Sequence, residues 1–79
     1  MDAVLEKVRA VVAQTFNVPV EEVTAQTSPQ TLEAWDSMGQ LSLTLALEQE
    51  FDVQIPPEGV ERIKDVASAA AEVRAVQAR

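Results

Sequence analysis

A helix that is apolar on two faces is the feature that most limits how this chain can fold. The stretch from Ser37 to about Phe51 contains no proline and reads as helix. At roughly 100° per residue, Leu43, Leu47 and Phe51 fall on one side, and Met38, Leu41 and Leu45 on nearly the opposite side. One stripe can be buried against neighbouring helices. In a chain of 79 residues there is little material to cover the other. Two arrangements fit the pattern. Either this is a central helix whose second face is covered by the long segment before it, or the second stripe is a docking face for partners.

The other elements follow from spacing and punctuation. Val4, Leu5, Val8, Val11, Val12 and Phe16 recur on one helical face, so residues 3–16 are expected to form a helix capped by Asp2. Asn17 and the Val18-Pro19 pair stop it. From Asn17 to Trp35 the periodicity dissolves into a long connection, with a short turn expected at Glu21 to Val23. A loop this long is uncommon in a small domain, so it hides a helical turn or has a task. Asp36 is a good N-cap for the second helix. Gly39, inside its first turns, costs about 1 kcal/mol relative to Ala. Pro56-Pro57 forbids continuation, and Pro57 opens a short helix through Arg62. Asp65 caps a last helix with a stripe of Val66, Ala69, Ala70, Val73 and Val76. The expected fold is all-α: one domain over residues 1–79, with three main helices and one short helix, and a long loop between helices one and two.

Composition narrows the chemistry. There is no His and no Cys, so the chain lacks the common proton shuttle, a thiol nucleophile, a disulfide and a thiolate metal site. An autonomous enzyme, working through carboxylates alone, is therefore disfavoured, and no metal ligands are assigned. The absence of Cys suits a reducing interior, and a cytoplasmic location is expected. Lys7 and Arg9 precede position 10 and the next basic residue is Arg62; the segment 10–61 carries −9 and the flanks together +2. That segment can steer a basic partner or simply keep the protein soluble, and it opposes nucleic-acid binding. No apolar run reaches the roughly 20 residues of a membrane span, and the start does not read as a secretory signal.

Asp36-Ser37-Met38, then Leu41, Leu43, Ala46-Leu47-Glu48-Gln49-Glu50-Phe51 and Ile55-Pro56, together resemble the acyl carrier protein family. Such carriers have an Asp-Ser-Leu motif, a helix ending in Ala-Leu-Glu-x-Glu-Phe, and an Ile-Pro before the third helix. The resemblance spans essentially the whole chain and implies a non-catalytic carrier with a four-helix bundle of that type. It implies a 4′-phosphopantetheine arm on Ser37, installed from coenzyme A by a Mg²⁺-dependent phosphopantetheinyl transferase, with Asp36 read beside it. An imported thiol agrees with a chain that has no Cys of its own. By the same resemblance, Met38, Leu41, Leu45 and Glu48 meet partner enzymes with basic docking patches. Leu43, Leu47 and Phe51 form the core side, where the family shelters acyl chains. A monomer is expected.

Some positions depart from the family. Gly39, Ser42 and Gln49 stand where carriers of central fatty acid synthesis are usually acidic, and Trp35 directly precedes the motif. These marks are similar to discrete carriers of specialised lipid, polyketide, secondary-metabolite or polysaccharide-modifying pathways. Trp35 reads first as an anchor packing the loop onto the bundle. A peptidyl or aminoacyl carrier of a non-ribosomal pathway is the nearest alternative; it usually has a Gly-Gly pair where this chain has Glu33-Ala34-Trp35, and the short termini suggest a stand-alone protein. An unmodified acidic helical adaptor is the alternative from a different class.

Overall fold

Asp2 starts the first helix as its pattern predicts, its carboxylate accepting from the Leu5 N–H at 3.1 Å. The computed structural model describes residues 2–78. Helix α1 runs over Ala3–Phe16, α2 over Ser37–Phe51, α3 over Pro57–Arg62 and α4 over Val66–Gln77, with no strand among the described residues. Asn17 and Asp52 end α1 and α2 in the left-handed region, at φ 57° and 54°. Short polar side chains tolerate that region better than most, which makes both positions clean stops. Pro57 opens α3 at its first turn, where a missing N–H costs nothing.

The core forms where three helices meet. α1 packs on both α2 and α4, and α3 packs on α4. Val8 and Val12 from α1, Leu43 and Leu47 from α2, and Val66 and Val73 from α4 are all buried. Full burial of each such side chain stabilises the fold by about 1.5–3 kcal/mol. Ala69 and Ala70 are also buried, so α4 presents a thin face to the centre.

The segment between α1 and α2 is ordered by specific partners. It opens with a single 3₁₀ turn at Val20–Glu22. Two hydroxyl-anchored turns follow: Thr27 Oγ1 accepts from the Thr24 N–H at 2.8 Å, and Thr31 Oγ1 from the Ser28 N–H at 2.9 Å. Arg9 reaches up from α1, its Nε donating to Val23 O at 2.6 Å and Nη2 to Val20 O at 2.9 Å.

The loop also completes α4. A helix start leaves four N–H groups without intrahelical acceptors. Here Val66 N donates to Thr27 O and Ala67 N to Ala25 O, each at 3.0 Å. Ser68 N donates to Asp65 Oδ1 at 2.7 Å and Asp65 N to Ser68 Oγ at 2.9 Å. All four are satisfied, two of them by the loop. The loop is therefore a structural brace running past α1 and the start of α4, and the second face of α2 stays uncovered.

Candidate functional site

Ser37 sits where the brace turns into α2. Asp36 is extended (φ −98°, ψ −164°); its Oδ1 accepts from the Gly39 N–H and its backbone oxygen from the Gln40 N–H, both at 2.8 Å. This cap fixes the first turn and leaves Ser37 as its first helical residue, exposed to solvent. Two other serines are differently employed. Ser68 Oγ is held in the α4 capping box, and Ser28 Oγ accepts from the Gln30 N–H at 3.2 Å.

A buried scaffold sets the position of that turn. Trp35 is 1% exposed and stacks on Phe16 of α1, with ring centroids 5.8 Å apart. Its Nε1 donates to Gln40 Oε1 at 2.6 Å. Gln40 Nε2 in turn donates to Val60 O at 3.0 Å and Ile63 O at 3.2 Å. One amide thus joins the loop, α2 and the end of α3. Gly39 makes the approach possible: a Cβ there would lie 2.4 Å from Ala34 O and 2.8 Å from Phe16 Cε1. Position 39 therefore faces the loop, and the missing acidic group reflects close packing there. The anchor reading of Trp35 holds. Sequence reasoning missed Gln40, whose one signal is an amide set within an otherwise apolar helix beside the Trp-Asp-Ser run.

Two surfaces flank Ser37. On one, Met38, Leu41 and Leu45 are 73%, 57% and 53% exposed, so the second stripe of α2 lies in solvent and the covered-helix arrangement is excluded. On the other, an open cleft of about 700 Å³ lies between the loop and the α3–α4 turn. Its walls include Gln30, Trp35, Gln40, Ile63 and Lys64. No helix among the described residues is long and apolar enough to cross a membrane.

The other expected site residues divide. Leu43 and Leu47 are buried core residues. Phe51 is only partly buried, at the bundle edge, with Lys7 Nζ 5.6 Å from its ring centroid. Glu48, expected to meet basic patches on partners, also has a role within the fold. It is half-buried, and its Oε2 accepts from the Ile55 N–H at 2.8 Å, closing the α2–α3 turn. A carboxylate spent on a backbone donor is a weaker handle for a basic partner, and Glu48 serves the fold first.

The α3 wall is held by an ion pair. Arg62 Nε donates to Glu72 Oε2 at 2.8 Å and Nη2 to Glu72 Oε1 at 3.2 Å. Glu72 lies buried in α4 while Arg62 is largely exposed. The hydrogen bonds to Glu72, then its charge, raise the Arg62 pKa above the ordinary arginine range. Gly59 lets α3 close onto this pair, since a Cβ there would come within 2.7 Å of Glu72 Oε1.

Comparison with known proteins agrees with this geometry. Residues 6–73 match the family model described as "Phosphopantetheine attachment site". The fold is similar to that of a holo acyl carrier protein from Geobacter metallireducens, solved by NMR in solution. The TM-score is 0.85 at 24% identity, over 99% of this chain and 90% of that one.

Proposed function

Because this chain belongs to the phosphopantetheine attachment site family, we propose that Ser37 is its attachment residue and that it delivers acyl cargo in a specialised lipid, polyketide or polysaccharide-modifying pathway. At the level of the family the role is plain. The protein is a non-catalytic carrier, the substrate of a modifying transferase, and its cofactor is covalent 4′-phosphopantetheine. When bound, that arm supplies a terminal thiol on which an acyl group is held as a thioester.

The exposure of Ser37 at a rigidly capped helix start carries the reading. A phosphodiester to a serine needs an accessible hydroxyl and room beside it, and Ser37 has solvent exposure and the open cleft. The cleft also suits the arm's alternation of charge, methyl and amide, with Lys64, Ile63 and Gln30 on its walls. Asp36 holds the motif in place through its cap to Gly39. Met38, Leu41 and Leu45 then serve as the face met by the transferase and by acyl-handling enzymes, a use favoured by three exposed apolar side chains in a row. Leu43 and Leu47 form the apolar interior that cargo would meet between helices, with Phe51 at its edge. A cytoplasmic monomer accords with the lack of Cys and the strong net charge.

Intact-mass measurement tests the assignment. After incubation with coenzyme A, Mg²⁺ and a broad-specificity transferase, wild type gains one arm and Ser37→Ala gains none. Ser42→Ala, which removes another exposed hydroxyl on α2, is loaded as wild type. An arm on Ser37→Ala, or none on wild type, overturns the reading.

A further inference from the structure

The cleft beside Ser37 has one feature that attachment alone does not require. Lys64 lines it, and it is the cation nearest in sequence to the motif on that wall after a stretch of 52 residues, 10–61, without Lys or Arg. The backbone of Lys64 is fixed, because its N–H donates to Ser68 Oγ at 2.8 Å next to the α4 capping box. Among the described residues its ammonium forms no ion pair, whereas Lys7, Arg9, Arg62 and Arg74 are all paired. Neighbouring Asp65 spends its carboxylate on the Ser68 N–H and hydroxyl. The result is a free cation on a rigid turn, lining the same cleft as Ser37.

Resting on the reading of Ser37 above, we propose that this cleft seats the proximal part of the arm, with Lys64 pairing with its phosphodiester and Ile63 and Gln30 meeting the groups beyond it. The need for such a partner follows from charge. Modification places a new anion directly beside Asp36, in a segment already at −9. Like charges at that separation repel, and a cation lining the cleft offsets the repulsion. Beyond the phosphate the arm carries geminal methyls and then amides. Ile63 is buried at the base of the wall, an apolar contact for the methyls, and Gln30 offers both a donor and an acceptor to an amide. The arm would then leave Ser37 toward the α3–α4 turn, away from the Met38, Leu41 and Leu45 stripe. Partners could grip the stripe without displacing the arm's base.

NMR on the holo protein, with loading verified by intact mass, tests this. Cross-peaks are expected between the arm's geminal methyls and the Ile63 side chain, and the amide signals of Gln30, Ile63 and Lys64 should differ between apo and holo forms. Lys64→Gln, an exposed change outside the hydrogen-bonded scaffold, should lose those cross-peaks while remaining folded, and Lys64→Arg should keep them. In wild type they should fade as salt approaches 1 M, where the screening length is about 3 Å. A loaded wild type with no cross-peaks, or with cross-peaks indifferent to both Lys64→Gln and salt, overturns this inference and leaves the Ser37 assignment standing. A wild type that acquires no arm overturns the assignment, and the inference with it.

Discussion

The indole nitrogen of Trp35 and the side-chain oxygen of Gln40 are 2.6 Å apart, and that bond ties the loop to the helix that begins with Ser37. The same amide holds the carbonyl oxygens of Val60 and Ile63. The loop end, the start of α2 and the distant end of α3 therefore share one side chain, and Trp35, Gln40 and Ile63 all line the cleft beside Ser37.

Gln40→Leu keeps the size and strands three partners at once. Leaving a buried polar group unpaired costs about 1–3 kcal/mol, so urea denaturation should show a loss within or above that range. Trp35→Phe retains a ring to stack on Phe16 and loses only the indole donor, so its loss should be smaller. Combined, the two changes should cost less than the sum of the singles, because they remove the same bond. Trp35 is the only tryptophan. Its emission in wild type should be blue-shifted and protected from quenchers, and Gln40→Leu should increase quencher access.

Gly39 illustrates what sequence alone could and could not reveal. In a helix, Gly reads as a cost of about 1 kcal/mol against Ala, and at position 39 it also reads as a missing acidic group. The structure reverses the first sign, because the obstacle to a Cβ is the backbone oxygen of Ala34. Gly39→Ala should destabilise the protein by about 1–3 kcal/mol despite its better helix propensity, read as a lower urea midpoint. It should also slow loading of Ser37, since relief requires the turn to shift.

The helices themselves were legible because their limits are written locally. Asp2, Asp36 and Asp65 cap, Asn17 stops, and Pro57 starts, each acting on its immediate neighbours. The second apolar stripe of α2 was legible for the same reason, whereas Ser37 stood out only through the resemblance of its motif to a family. Whether that stripe is covered was not legible, since it depends on where an aperiodic loop runs. The loop's course is set by Arg9, by the free N–H groups of α4 and by Trp35, all long-range partners. The bond from the Ile55 N–H to Glu48 was not legible on similar grounds: periodicity puts Glu48 near a face but does not show which backbone donor its carboxylate meets.

The Arg62–Glu72 pair should behave as a buried charge held by an exposed one. Removing Arg62 leaves the Glu72 carboxylate without its bidentate donor, so Arg62→Met should destabilise α3 and lower the melting temperature. Replacing both residues by Met removes the buried charge as well, and the double variant should recover part of that loss. The raised Arg62 pKa means the guanidinium stays protonated through neutral and moderately alkaline solution. The contribution of Arg62 is complete below its ordinary pKa and lost only as pH climbs through the raised folded value. Melting temperature should therefore show no Arg62-dependent step between pH 6 and about pH 10. A step in wild type that Arg62→Met abolishes would contradict this.

The exposed stripe of α2 should matter to partners and hardly at all to the fold. Leu41 is more than half exposed, so Leu41→Ser should change unfolding free energy by about 0.5 kcal/mol or less. If the transferase grips this face, the same change should lower its loading efficiency about tenfold, as truncation of a central apolar contact costs more than 1 kcal/mol. Lys64→Gln, on the opposite side of Ser37, should leave that efficiency near wild type. Binding should also weaken as salt rises, because the segment around the site is uniformly acidic and attracts a basic partner from a distance. Surface plasmon resonance across a salt series separates the two contributions. Leu41→Ser should raise the dissociation rate at every salt concentration, and salt should mainly reduce the association rate of both proteins. Equal dissociation rates for wild type and Leu41→Ser would place the docking face somewhere other than the stripe.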